Sequence, residues 1–150
     1  MQNTLSRISM NAAALAWLRR SCGKWRSERR YLFQSDGKPA CYTTLMDIHE
    51  RERGNQFVIN WEGKTSGKME VELDGNVLVR SRDYFGDDAH DSDVEMVDDD
   101  TIVFTTTYDG VTFREEIRLI SNDQYRLRQT FGTRADGSFA LAGQYIEFRL

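Results

Sequence analysis

Residues 101–132 read TIVFTTTYDGVTFREEIRLISNDQYRLRQTFG. Three runs rich in β-branched and aromatic residues, 101–108, 111–120 and 123–132, are separated only by Asp109-Gly110 and Asn122-Asp123. Asp-Gly supplies the left-handed backbone that a two-residue hairpin needs. Connections this short can join only antiparallel neighbours. The same texture extends in both directions, with strands expected at 24–35, 40–52, 56–62, 67–73, 76–85, 93–97 and 138–149. The breaks fall at Ser35-Asp36-Gly37-Lys38-Pro39, Arg53-Gly54-Asn55, Asp74-Gly75 and Asp136-Gly137. Ten strands in one meander make either a sandwich or a closed barrel. Closure removes the exposed edges, so a barrel is expected.

Ahead of the strands, residues 11–21 (NAAALAWLRRS) predict one short helix near a mouth of the barrel. Asn11 is placed as its N-cap, the alanines have high propensity, and Leu15, Leu18 and Cys22 fall at i, i+3 and i+7. Arg19 and Arg20 offset the negative end of the helix dipole, and Gly23 stops the helix. Residues 1–10 carry little pattern and are read as partly disordered.

Composition bounds what such a barrel can do. A chain of 150 residues is the size of one domain, read here as residues 1–150. With 20 Lys and Arg against 24 Asp and Glu, the net charge of -4 argues against a duplex-DNA binder. Two cysteines, Cys22 and Cys41, make neither a disulfide framework nor a thiolate zinc site, and are read as buried or indifferent thiols. No apolar run reaches the roughly 20 residues of a membrane span. The apolar stretch 12–18 has its arginines after it rather than before, unlike a secretory signal. A soluble protein of a reducing compartment is expected.

Metal and phosphate chemistry find little support. His49 and His90 have no second ligand at metal spacing. Asp87, Asp91, Asp93 and Glu95 lack the glycine and terminal glutamate of a calcium loop and read as a solvated acidic loop. No metal site is expected, and no glycine-rich phosphate loop or nucleophile elbow is present.

Strand parity separates two faces without saying which is inside. In 123–131, Arg126, Arg128 and Thr130 share one face, and Tyr125, Leu127, Gln129 and Phe131 the other. In 111–120, Thr112, Arg114, Glu116 and Arg118 oppose Val111, Phe113, Ile117 and Leu119. Trp25, Ser27, Arg29, Tyr31 and Phe33 share a face of the first strand. Charged faces of antiparallel strands ordinarily meet water. In a barrel that holds a ligand, the polar face can instead line the cavity. Arginines two residues apart could then fork two carboxylates or phosphates. Parity leaves both readings open.

Three motifs in register carry a resemblance. Gly23-Lys24-Trp25-Arg26-Ser27-Glu28-Arg29-Arg30 follows the short helix; Glu115-Glu116 precedes Tyr125-Arg126-Leu127-Arg128-Gln129-Thr130; and the chain closes on Gln144-Tyr145-Ile146-Glu147-Phe148-Arg149-Leu150. Together they resemble the CpcS/CpeS (S/U-type) phycobiliprotein chromophore lyases over residues 12–150, with the middle of the chain only loosely similar. The resemblance implies an all-β, ten-stranded antiparallel calycin/lipocalin-like barrel, similar to fatty-acid-binding proteins, with one short N-terminal helix. It also implies binding of a free linear tetrapyrrole, phycoerythrobilin in preference to phycocyanobilin, as substrate and with no further cofactor. The pigment would be attached by a thioether to a cysteine of an apo-phycobiliprotein subunit, phycoerythrin for preference. By the same resemblance Arg126, Arg128 and Thr130 hold the propionates, and Glu116 is the catalytic carboxylate near the pyrrole nitrogens, accepting from their N–H groups and stabilising the protonated pigment. Trp61 is implied as a cavity tryptophan, with Trp25, Ser27 and Arg29 as further bilin-binding positions.

The nucleophile then belongs to the partner, which is why no cysteine of this chain is needed. A bilin reductase is a further candidate partner, either monomer or homodimer is compatible, and neither nucleic acid nor membrane is expected. The resemblance implies the cytoplasm of a cyanobacterium or phage-infected host, or the plastid stroma of an alga, as the compartment. The basic positions Arg19, Arg20, Lys24, Arg26, Arg29 and Arg30 read as a solvated helix end and strand edge, or else as a docking surface for an acidic partner. Two other classes stay open: a carrier that binds bilin without transferring it, and a lipocalin-like binder of another carboxylated apolar ligand.

Overall fold

The computed structural model describes residues 12–35, 37–52, 54–80 and 90–150. Among these residues the chain forms one helix, α1 (residues 12–20), and ten strands. They are β1 (Gly23–Phe33), β2 (Pro39–Glu50), β3 (Gln56–Glu62), β4 (Gly67–Asp74), β5 (Val77–Arg80), β6 (Ser92–Asp98), β7 (Thr101–Tyr108), β8 (Val111–Ile120), β9 (Tyr125–Arg134) and β10 (Phe139–Arg149). Each pairs antiparallel with its successor, and β10 closes on β1, giving a barrel without free edges. The expected architecture and nearly all its boundaries hold. Residues 1–10, the N-cap position Asn11, the end of the fifth expected strand (81–85) and the start of the acidic loop lie outside the described residues.

Local chemistry explains the corners. Tyr108 pairs with Val111 across Asp109-Gly110, whose φ angles of 52° and 72° are those a two-residue I′ turn requires. The β8–β9 connection departs from expectation. Ser121, Asn122 and Asp123 take φ of 53°, 54° and 62°, and the ninth strand starts at Tyr125 rather than 123. Three successive left-handed non-glycine residues are costly, and tertiary contacts hold them. Arg20 grips the Asp123 carboxylate at 2.7 Å and Asp100 at 2.6 Å. Arg149 Nε donates to the Asp123 carbonyl at 2.8 Å.

The same Arg149 closes the base of the barrel. Its two Nη atoms donate to the carbonyls of Cys22 and Arg20, each at 2.7 Å, satisfying groups that the end of α1 leaves open. Trp17 Nε1 donates to the Asp100 carbonyl and Trp25 Nε1 to that of Ser21. These indoles pack with Leu73, Ile102 and Leu119 into an apolar plug. The basic stretch is dispersed by these contacts: Arg19 pairs with Glu50, Arg20 with the aspartates, Arg26 with Glu28, and Arg29 turns inward. Of the two thiols, Cys22 is half-buried and Cys41 exposed on the outer face of β2, so burial holds for neither.

Candidate functional site: a cavity with one charged wall

The barrel encloses a cavity of about 500 Å³, within the range of small-molecule sites. Alternation fixes what it sees. From β2 to β5 the cavity meets Tyr42 and Thr44 and then Met46, Ile48, Phe57, Ile59, Trp61, Met69, Val71 and Leu78, a mostly apolar wall that ends at Arg80. Gly67 sits directly opposite Trp61 in the ladder, and a Cβ there would overlap the indole. The missing side chain at Gly67 thus lets the tryptophan lie against the strand.

The opposing wall, from β8 through β10 to β1, is built in rungs. Ser27, Glu147 and Arg126 face one another across β1, β10 and β9. One rung along come Arg29, Tyr145 and Arg128, and beyond them Tyr31, Gly143, Thr130 and Glu115. This register converts sequence spacing into ion pairs. Arg126 Nε lies 2.9 Å from Glu147 Oε1, with the two side chains 5% and 0% exposed. Arg128 Nη2 donates to Glu115 Oε2 at 2.9 Å and Nη1 approaches Glu147 Oε2 at 3.8 Å. The Thr130 hydroxyl donates to Glu115 at 3.4 Å and receives the Tyr145 hydroxyl at 3.3 Å. Arg29 and Arg128 both lie over the Tyr145 ring, 5.3 and 4.7 Å from its centre. A Cβ at Gly143 would strike the Tyr145 hydroxyl.

The electrostatics follow from burial and partners. Burial pushes the Glu147 carboxyl up, but Arg126 and then Arg128 outweigh it, helped by the Ser27 hydroxyl and Arg29, so it stays below the usual carboxylate range. Glu115 is likewise raised by burial and brought down further by Arg128, Arg80 and Arg126. Both are carboxylates at neutral pH. Burial keeps the Tyr145 phenol protonated. Among the described residues four arginines (Arg29, Arg80, Arg126, Arg128) and two glutamates (Glu115, Glu147) thus meet in the interior, with Lys64 at the rim. The interior carries two more cations than anions before Lys64 is counted.

The sequence-derived positions divide in three. Arg126, Arg128 and Thr130 lie on the inner face as expected, and Arg29 and Trp61 line the cavity. Glu116 does not. It pairs in register with Gln129 on the outer face and meets Arg114 at 3.2 Å, because neighbours on a strand point to opposite sides. The inward acid is Glu115, one residue earlier. Trp25 and Ser27 are wholly buried but stand behind the cavity: Trp25 belongs to the plug beneath Arg126, and the Ser27 hydroxyl receives Arg29 Nε at 3.0 Å. Both position the charged wall instead of lining the cavity. Glu115, Glu147, Tyr145 and Arg80 were missed as site residues. The signal for Glu115 was its parity, between the inward Phe113 and Ile117.

A closed antiparallel barrel with an apolar wall facing a net-cationic one has the architecture of the lipocalin-like barrels. The chain belongs to the CpeS-like protein family, whose model matches residues 42–150. It is 26% identical to a protein of Picosynechococcus named "Putative chromophore lyase CpcV", covering 93% of this chain and 82% of that one. It is 27% identical to one of Nostoc named "Putative phycocyanobilin lyase CpcS 2", covering 91% and 90%. The solved structure of the S-type phycobiliprotein lyase CPES from Guillardia theta has the same fold, with a TM-score of 0.70 at 18% identity over 91% of this chain and 92% of that one.

Proposed function

We infer that the protein is a bilin lyase: it takes a free open-chain tetrapyrrole into the barrel and presents it to a cysteine of an apo-phycobiliprotein subunit. Family membership and the lyase names of the relatives support the reaction class. The observation that carries the ligand is the cavity's excess, among the described residues, of two half-buried cations beside an aromatic and apolar wall. A bilin is a flat, largely apolar dianion, and its two propionates complete that charge balance. Arg128 and Arg29, side by side over Tyr145, offer charge-assisted donors, while Trp61 and Phe57 stack against rings.

In the attachment step the partner's S–H adds across the A-ring ethylidene double bond. Sulfur bonds to the ethylidene carbon, the proton ends on the ring carbon, and nothing leaves. A pigment protonated at its nitrogens is the better electrophile. Glu115, held ionised inside the barrel, is the group suited to stabilise that cation, an electrostatic contribution without a covalent intermediate. Fixing one conformer also restricts which face the thiol attacks.

Phycoerythrobilin and a phycoerythrin subunit are the proposed pigment and acceptor, with phycocyanobilin the competing pigment. Co-expression with each pigment pathway and with individual apo-subunits tests this reading. A coloured, acid-stable adduct on one subunit that requires this protein supports it. Pigment bound but never transferred makes the protein a carrier. No pigment uptake at all returns it to the binders of other carboxylated ligands.

A further inference from the structure

Arg80, the last residue of β5, enters the cavity from the otherwise apolar wall, beside Met69 and Leu78. It is half-buried, and among the described residues no carboxylate comes within ion-pair distance of it. Arg126 and Arg128, by contrast, each have an internal carboxylate. What Arg80 does have is an aiming device. Its Nε and Nη2 both donate to the hydroxyl of Ser92, at 3.2 and 3.0 Å, and that wholly buried hydroxyl lies 2.6 Å from the Thr106 hydroxyl. A hydroxyl that accepts twice from one guanidinium has its own proton for Thr106.

Neutral hydroxyls orient a cation without neutralising it. One edge of the guanidinium is thereby used, and among the described residues the Nη1–Nη2 edge meets only the weak contact of Met69 Sδ at 3.9 Å. That open edge is the planar, two-pronged donor that fits a carboxylate. Its surroundings, Met69, Leu78 and Phe104, suit a hydrocarbon arm. A half-desolvated cation in an apolar wall costs free energy that an arriving anion would offset.

We propose that Arg80, aimed by Ser92 and Thr106, is a carboxylate-binding residue of the cavity that holds a second acid group of the ligand, on the wall facing Arg29 and Arg128. The proposal rests on the bilin reading for its two propionates. It assigns to the β5 wall a specific anion subsite that no sequence motif marked.

The test uses the open-chain tetrapyrrole biliverdin as diacid and as dimethyl ester, titrated by absorbance against wild type, Arg80→Gln and Ser92→Ala. Arg80→Gln should weaken the diacid roughly 10- to 100-fold while leaving the diester within about threefold of wild type. Ser92→Ala keeps the charge and removes its aim, so a several-fold loss confined to the diacid is expected; it also serves should Arg80→Gln fold poorly. Equal losses for diacid and diester, or none for either, overturn the proposal. If wild type takes up no biliverdin, the bilin reading falls, and hexadecanedioate against its dimethyl ester decides the anchor by the same comparison. Indifference of that pair to Arg80, or uptake of neither diacid, overturns it as well.

Discussion

The two walls of the cavity solve the same packing problem with opposite chemistry. From β2 to β5, Met46, Ile48, Phe57, Ile59 and Val71 exclude water by area, a non-directional effect that tolerates small displacements. From β8 to β1, Arg126 and Glu147 are buried as charges and Arg128 and Glu115 largely so, where each loses hydration that its partner must offset. The outside mirrors this: β9 and β10 give their apolar side chains to solvent, with Phe131 53% and Ile146 51% exposed, because their inner faces are taken by charge. A fold under selection for stability alone would invert those strands. Their orientation suits the ligand proposed above, flat and apolar with acidic groups at its edge.

The sharpest way to break the comparison is Glu147→Ala. It leaves Arg126 without its partner at a site where it is only 5% exposed and should cost about 3–5 kcal/mol in urea unfolding, a large part of a domain's stability. A loss under about 1 kcal/mol would mean that water reaches this wall after all. Next, Arg128→Ala should weaken pigment capture roughly 10- to 100-fold by absorbance titration. Trimming the apolar wall with Ile59→Val should change it only a few-fold, about 1 kcal/mol. Comparable losses would erase the distinction between the walls.

Glu115→Gln keeps hydrogen-bonding capacity but not charge. Capture should survive within a few-fold while transfer to the acceptor cysteine falls about tenfold or more, and Glu116→Gln should match wild type in both. A reversed pattern would return the acid to Glu116.

The pH dependence separates charge from area directly. Glu147, Glu115 and Asp123 are all held below the ordinary range by arginines. A carboxyl whose pKa is lower folded than unfolded contributes its stability in full above the unfolded value, about 4.3 for Glu and 3.9 for Asp, and loses it as pH falls through the folded one. The urea midpoint should be flat from about pH 7 to 5 and fall steeply below about 4. A midpoint that rises on acidification would contradict these pairings. The smallest effect is expected at the base: Arg20→Ala loosens the left-handed turn for about 1 kcal/mol and leaves pigment binding unchanged.

Much of this was readable before any coordinates. Hairpin chemistry at Asp109-Gly110 and Asp74-Gly75 is local, so strand count and order followed from it. The β8–β9 turn was misjudged by two residues because Ser121 and Asn122 adopt backbone angles that only Arg20 and Arg149, distant in sequence, make affordable. The site was half legible. The parity of β9 grouped Arg126, Arg128 and Thr130 correctly. Parity of β8 also placed Glu116 with the outward Arg114 and Arg118, and carrying a family role onto it crossed the strand's faces. Arg80 had no motif, since its partner Ser92, and Thr106 behind it, lie on two other strands.

What the chain alone determined is whatever depends on neighbours a few residues apart: the helix, the turns, the alternation that sorts each strand into two faces, and the three motifs that carry the family resemblance. Which face lies inside was decided only when β10 closed on β1, because inside and outside have no meaning for an open strand. Closure also set the register that puts Glu147 against Arg126 and, among the described residues, gives Arg80 hydroxyl partners instead of a carboxylate at ion-pair distance. A buried charge is stabilised or stranded by groups from other strands, and their distances exist only in the folded barrel.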